Sequence, residues 1–194
     1  MTVSLIDHLK TVPDFRAARG RRYPLWMVLL LLILGIMSQC HGYMALEAFA
    51  NRHKQALIQA LGLSHQRLPS DSTFRLVVQR LDYDTLLGVF NQWAQQSLSL
   101  EPGSGWSIDG KSLAGTLVDH KGSAQNFVSV VSLSSQQQGT VLQMSAFLNK
   151  QESELVVVQQ LLSALQLHDG VLTLDALHAQ KKPSRQSRTV AMTA

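Results

Sequence analysis

Residues Leu25–Met37 (LWMVLLLLILGIM) form thirteen consecutive positions without a charged or hydrogen-bonding aliphatic side chain. A helix apolar on every side has to be surrounded, either by protein or by lipid. Length decides between the two. At 1.5 Å per residue the run reaches about 20 Å, short of the roughly 18–20 residues that cross a bilayer. Arg16, Arg19, Arg21 and Arg22 precede it and imitate the positive flank of a signal peptide, but polar Ser38, Gln39 and His41 follow at once, with no small-x-small cleavage pattern. The expectation is a core helix around which a helical domain is built, with no membrane partner.

The flanking sequence supplies that domain. Residues 2–12 place Val3, Leu5, Ile6, Leu9 and Val12 near helical spacing, and Pro13 ends the helix. Residues 14–22 read as a charged loop, and Pro24 suits the first turn of the next helix. A third helix is expected over 43–59, closed by Gly62. Pro69-Ser70-Asp71-Ser72-Thr73-Phe74 then reads as a helix start, with Ser70 or Asp71 as N-cap and Phe74, Val77, Val78 and Leu81 as the buried face. Asp82 turns the chain into a last helix over 85–98. About five helices are therefore expected in residues 1–98.

At residues 99–105 the chain turns to Ser, Pro and Gly, and the period changes. Residues 106–109, 126–133 and Thr140–Leu148 alternate as strands, 151–167 returns to helical spacing, and 170–175 is again strand-like. Three strands, a helix and a fourth strand describe an α/β core with a partly antiparallel sheet, the order in which the ribonuclease-H fold begins. The fold class is thus α+β: an all-α N-terminal domain (1–98), a linker (99–105), the first part of a ribonuclease-H-like α/β domain (106–180) and a basic tail (181–194).

Charge is uneven along the chain. Residues 1–100 hold ten Lys/Arg against six Asp/Glu, whereas the remainder balances at seven and seven. A basic helical half suits a polyanion, although a net charge of +4 is common among proteins that bind none. Cys40 is the single cysteine, which excludes an intramolecular disulfide and a multi-cysteine metal site and suits a reducing cytoplasm.

Two of the strand-like runs end on aspartate: Trp106-Ser107-Ile108-Asp109-Gly110-Lys111 and Val171-Leu172-Thr173-Leu174-Asp175. Carboxylates at neighbouring strand ends are where α/β sheets present catalytic groups, and hard Mg²⁺ or Mn²⁺ prefers such oxygen ligands. The plainer alternative makes Asp109-Gly110 a turn and Asp175 a helix cap.

Several motifs, in order, resemble the DDE-type transposases of bacterial insertion sequences, specifically the H-repeat-associated group. They are Pro13-Asp14-Phe15-Arg16 with Arg22-Tyr23-Pro24-Leu25, Leu68-Pro69-Ser70-Asp71-Ser72-Thr73-Phe74-Arg75, Ile108-Asp109-Gly110-Lys111, Lys150–Leu155 in numbers 150–155, and Asp175-Ala176-Leu177-His178-Ala179-Gln180. The 150–155 segment keeps Glu154 but has Ser153 where that group has Asn.

The resemblance implies a two-metal phosphoryl-transfer site using Mg²⁺ or Mn²⁺, with Asp109 and Asp175 as the first two members of an Asp-Asp-Glu triad. It implies transposon-end DNA as a partner, and a second copy or the full-length relative as protein partners. Lys111 and His178 become candidates for holding DNA, against the plainer roles of a solvated lysine and a helix-start histidine. Arg21 and Arg22 are the candidate phosphate contacts of the helical half. Glu152 and Glu154 come too early for the third carboxylate, and no Asp or Glu follows Asp175. The expectation is a transposase interrupted after Gln180 by a frameshift or stop, and inactive in cleavage. The rival reading is a DNA-binding or dimerising regulator of transposition without catalysis.

Overall fold

The computed structural model describes residues 4–63, 67–97, 105–113, 116, 127–165, 171–174 and 191–193. The chain divides into two compact units, Met1–Val89 and Phe90–Ala194. Helices occupy the first and a mixed sheet the second, the α+β class expected from the change of period.

In the helical unit, α1 (Leu5–Lys10), α2 (Leu25–Met37), α3 (Tyr43–Arg52), α4 (Lys54–Leu61), α5 (Asp71–Arg80) and the start of α6 (Tyr83–Ser97) follow one another. Eight residues of α2 are buried, and Met27, Val28, Leu29 and Leu31 are at most 1% exposed. They pack with Leu9, Leu46, Phe74 and Val77. Burying four such side chains contributes about 6–12 kcal/mol of transfer free energy. Among the described residues, no helix is long and apolar enough to cross a membrane.

Three local expectations need correction. The helix expected over 43–59 breaks at His53, whose φ of −98° and ψ of 13° separate α3 from α4. Gly62 closes α4 in the left-handed region, φ 60°, with the N–H groups of Gly62 and Leu63 donating to Gln59 and Ile58 carbonyls. Of the face expected there, Phe74 and Val77 are buried and Leu81, just past the end of α5, packs against the same core, whereas Val78 is 42% exposed. Ser70 occupies the N-cap position of α5 without a side-chain cap bond. Its Oγ turns to Ser72 and Thr73 instead, and the Glu47 carboxylate of α3 accepts the Asp71 N–H at 3.0 Å.

The second unit contains a sheet in the order β3-β2-β1-β4-β5, made from β1 (Gly105–Ser112), β2 (Val128–Ser135), β3 (Thr140–Leu148), β4 (Val171–Leu174) and β5 (Ala191–Thr193). β1–β2 and β2–β3 are antiparallel; β1–β4 and β4–β5 are parallel. This is a mixed sheet, antiparallel on one side of β1 and parallel on the other, as the partly antiparallel sheet expected from the sequence requires. α7 (Glu154–Leu165) covers the sheet with Val157, Val158 and Leu161 against Trp106, Ile108, Val131, Leu133 and Leu142. Two boundaries differ from the sequence reading. Asn91 of α6 both donates to and accepts from the Met144 backbone of β3, 2.9 Å each way, so the end of α6 groups with the sheet. Residues 191–193, inside the expected tail, pair as a strand with β4.

Candidate functional site

β1 carries the first candidate aspartate. Along it Trp106 and Ile108 are buried under α7, while Asp109, Gly110 and Lys111 at its far end are exposed. Asp109-Gly110 is not a turn: both residues stay in the β1–β2 ladder, opposite Ser132 and Val131. The glycine has a different cause. A Cβ on Gly110 would overlap the Glu154 carboxylate at the start of α7, so the bare backbone leaves room for the acid where it lies. Successive strand residues face opposite sides, so Asp109 and the Glu154 carboxylate lie on different faces of β1.

β4 runs parallel beside β1, with Ile108 opposite Leu174. These residues immediately precede Asp109 and Asp175 in the sequence. Asp175 and His178 themselves lie outside the described residues. Lys111 is exposed and paired through its backbone with Val130. The donor chemistry at this strand end, carboxylate oxygen, fits a hard divalent cation. Among the described residues no group of three or more His, Cys, Asp or Glu gathers around one point, so Asp109 is the one described ligand candidate.

A second feature occupies the helical unit. A groove of about 690 Å³ is lined by Arg16, Arg19, Arg22, Lys54, Arg67 and Arg80, with Asn51, Ser70 and Thr73 between them. Glu47 is the sole carboxylate in that lining, and it is engaged at the α5 start. The loop before α2 shapes one wall. Arg16 is 9% exposed and gives Nε and Nη2 to the two Asp14 oxygens at 2.9 and 2.8 Å, with Nη2 also reaching the Tyr23 carbonyl at 2.8 Å. The Arg16 hydrogen bonds hold the Asp14 carboxyl below its usual value of 3.8.

Arg21 and Arg22, named together from the sequence, have separate fates. Arg21 folds back, donating to the Arg16 and Asp14 carbonyls at 2.7 and 2.9 Å, whereas Arg22 lines the groove. Sequence reasoning did not single out Lys54, Arg67 and Arg80 as one site. They lie on α4, before α5 and at the end of α5, and only the packing of α5 on α2 and α3 brings them together.

The DDE_Tnp_1-associated family matches residues 6–94, from α1 through most of α6. YncI of Escherichia coli K12, which carries a transposase name, is 26% identical over 178 residues, 92% of this chain and 70% of its own length. YncI of Escherichia coli O157:H7 is also 26% identical over 92% of this chain, which covers 45% of it. YhhI of Escherichia coli K12, named as H repeat-associated and again as a transposase, is 25% identical over 91% of this chain and 46% of its own length. This chain therefore spans about half the length of several relatives it matches. The piggyBac transposase synaptic complex with hairpin DNA is similar at a TM-score of 0.42 and 12% identity, over 89% of this chain and 43% of that one.

Proposed function

We propose that this chain, a member of the H repeat-associated transposase family, binds DNA through its helical unit and carries the first two carboxylates of a DNA strand-transfer site. Asp109 and Asp175 are the metal ligands in this reading, Lys111 and His178 contact the DNA strand, and transposon-end DNA is the substrate. Mg²⁺ or Mn²⁺ between the two carboxylates would supply a charge clamp on the attacking and leaving phosphate oxygens. The observation that supports it most directly is the β1–β4 register, in which Ile108 and Leu174 are partners one residue before each aspartate.

The sequence contains no Asp or Glu after Asp175. In this reading Asp109 and Asp175 are two of the three carboxylates such a site uses, and two alone hold divalent metals weakly, so DNA binding without cutting is the expected behaviour of residues 1–194. That makes a regulator of transposition, acting on transposon ends or on an intact relative, the second reading that the same chemistry supports.

Two assays on the full chain test this. A gel shift with duplex DNA at low salt should show a complex, and supercoiled plasmid incubated with Mn²⁺ should stay uncut. Nicking that disappears in Asp109→Ala would overturn the inactivity. Metal binding that is tight and indifferent to Asp109→Ala would overturn the site itself.

A further inference from the structure

The charges around the groove of the helical unit carry a more specific conclusion, which rests on the DNA-binding reading above. Arg19 and Arg22 come from the loop ahead of α2, Lys54 from the first turn of α4, Arg67 from the segment before α5, and Arg80 from its last turn. Among the described residues none of these five is ion-paired; the side-chain ion pairs of the unit are Lys10–Asp7 and those that Arg16 and Arg21 make with Asp14. Cations gathered from four chain segments, with the Glu47 carboxylate alone among them, repel one another, a cost that an anionic ligand removes.

The rest of the lining narrows the ligand. Asn51, Ser70 and Thr73 add neutral polar groups of the kind that contact phosphate oxygens. A volume of about 690 Å³ exceeds what one phosphate needs and suits a run of backbone. Single-stranded nucleic acid is usually held by stacking its bases on exposed aromatic rings. The lining contains one aromatic, Tyr23, and it is 7% exposed, sealed into the core.

We propose that this groove is a sequence-independent seat for the phosphodiester backbone of duplex DNA, with Arg22, Lys54, Arg67 and Arg80 as its main phosphate contacts. Arg16 is a positioning residue for the wall that presents Arg22. The groove holds the duplex and reads no bases.

Two charge-matched variants of the full chain test the assignment, each first checked for an unchanged unfolding transition. One is Arg67→Gln with Arg80→Gln, inside the groove. The other is Arg52→Gln with Arg75→Gln, exposed in the same unit and outside the groove lining. Binding of a random-sequence duplex is followed across salt concentrations by fluorescence anisotropy. The groove pair should flatten the log Kd against log salt plot by about 1.8, that is about 0.9 for each lost phosphate contact, and should weaken binding of unrelated duplexes equally. The matched pair should change the slope by less than half of that. Equal effects from both pairs, or no effect from the groove pair while the unaltered chain binds, would overturn the groove and leave DNA binding standing. Tighter binding of single-stranded than of duplex DNA would overturn the duplex assignment. No binding by the unaltered chain at low salt would overturn both this inference and the reading on which it rests.

Discussion

Replacing Asp14 with Ala removes the two side-chain hydrogen bonds of a largely buried guanidinium. Arg16 is 9% exposed, and its Nη1 is buried with no hydrogen-bond partner even in the intact loop. Losing Asp14 strips two charge-assisted bonds of 2.8 and 2.9 Å, together with the carboxylate's bond to the Arg16 backbone N–H at 3.1 Å. Breaking a buried pair from one side costs about 3–5 kcal/mol, because the surviving charge stays desolvated. Asp14 itself is 24% exposed, so the lower end of that range, about 3 kcal/mol, is expected. With a urea dependence of about 1–3 kcal/mol per molar, the unfolding midpoint should fall by about 1–3 M.

Asp7→Ala provides the internal comparison. Its pair with Lys10 has the same 2.8 Å separation, but the side chains are 66% and 51% exposed, and the expected loss is at most about 1 kcal/mol. A loss at Asp14 no larger than that at Asp7 would refute the argument, since it would mean that burial of Arg16 adds nothing. Acid titration provides a second test. The Asp14 carboxyl is held below 3.8 by Arg16, so its stabilisation is present above that value and disappears as pH falls through the lower folded value. The difference between wild type and Asp14→Ala should be constant from about pH 5 upward and close only in stronger acid.

The remaining predictions concern the two candidate sites. Gly110→Ala brings the new methyl against the Glu154 carboxylate, the movable end of a flexible side chain, and should cost less than about 1 kcal/mol in denaturant unfolding; a larger loss that Glu154→Ala does not recover would sink the explanation. Glu47→Ala leaves the Asp71 N–H of α5 without its acceptor and should destabilise by about 1 kcal/mol. Because it also removes the one carboxylate of the groove lining, the same variant should bind duplex DNA more tightly, and weaker binding would contradict the groove. Arg21→Ala should weaken DNA binding less than Arg22→Ala at equal salt, since Arg21 is spent on the Arg16 and Asp14 carbonyls.

What the sequence made legible was what repeats along it. An all-apolar α2 needs to be enclosed, and the enclosure is the cluster containing Phe74, Leu86 and Leu46. Phe90, which belongs to the second unit, pairs with Trp93 at 5.5 Å between ring centres. The strand Thr140–Leu148 was readable to the residue because its polar turn closes on Gly139 at φ 61°. What failed to show was any outcome decided by a distant partner. Asp-Gly ordinarily signals a turn, yet at 109–110 the glycine answers to an acid 44 positions later, on α7. Ser70 has the chemistry of an N-cap, yet Glu47 from α3 takes the Asp71 N–H. Local propensity sets the options, and long-range contacts choose among them.

The same distinction bears on what the basic charge of the helical half can do. Its ten Lys/Arg do not all remain available: Lys10 is tied to Asp7, while Arg16 and Arg21 are tied around Asp14. Of the rest, the groove collects Arg19, Arg22, Lys54, Arg67 and Arg80. If each met one phosphate, the salt dependence of duplex binding would have a slope of about 4.5 and no more. A net charge of +4 sets no such ceiling, because it counts paired and unpaired cations alike. A measured slope well above about 5 would place phosphates on residues beyond the groove, with exposed Arg52 and Arg75 of the same unit the first to substitute. A slope near 2 would leave half of the groove cations without a phosphate, and the arginines of the loop ahead of α2, rather than Arg67 and Arg80, would then be the ones to restore to scrutiny.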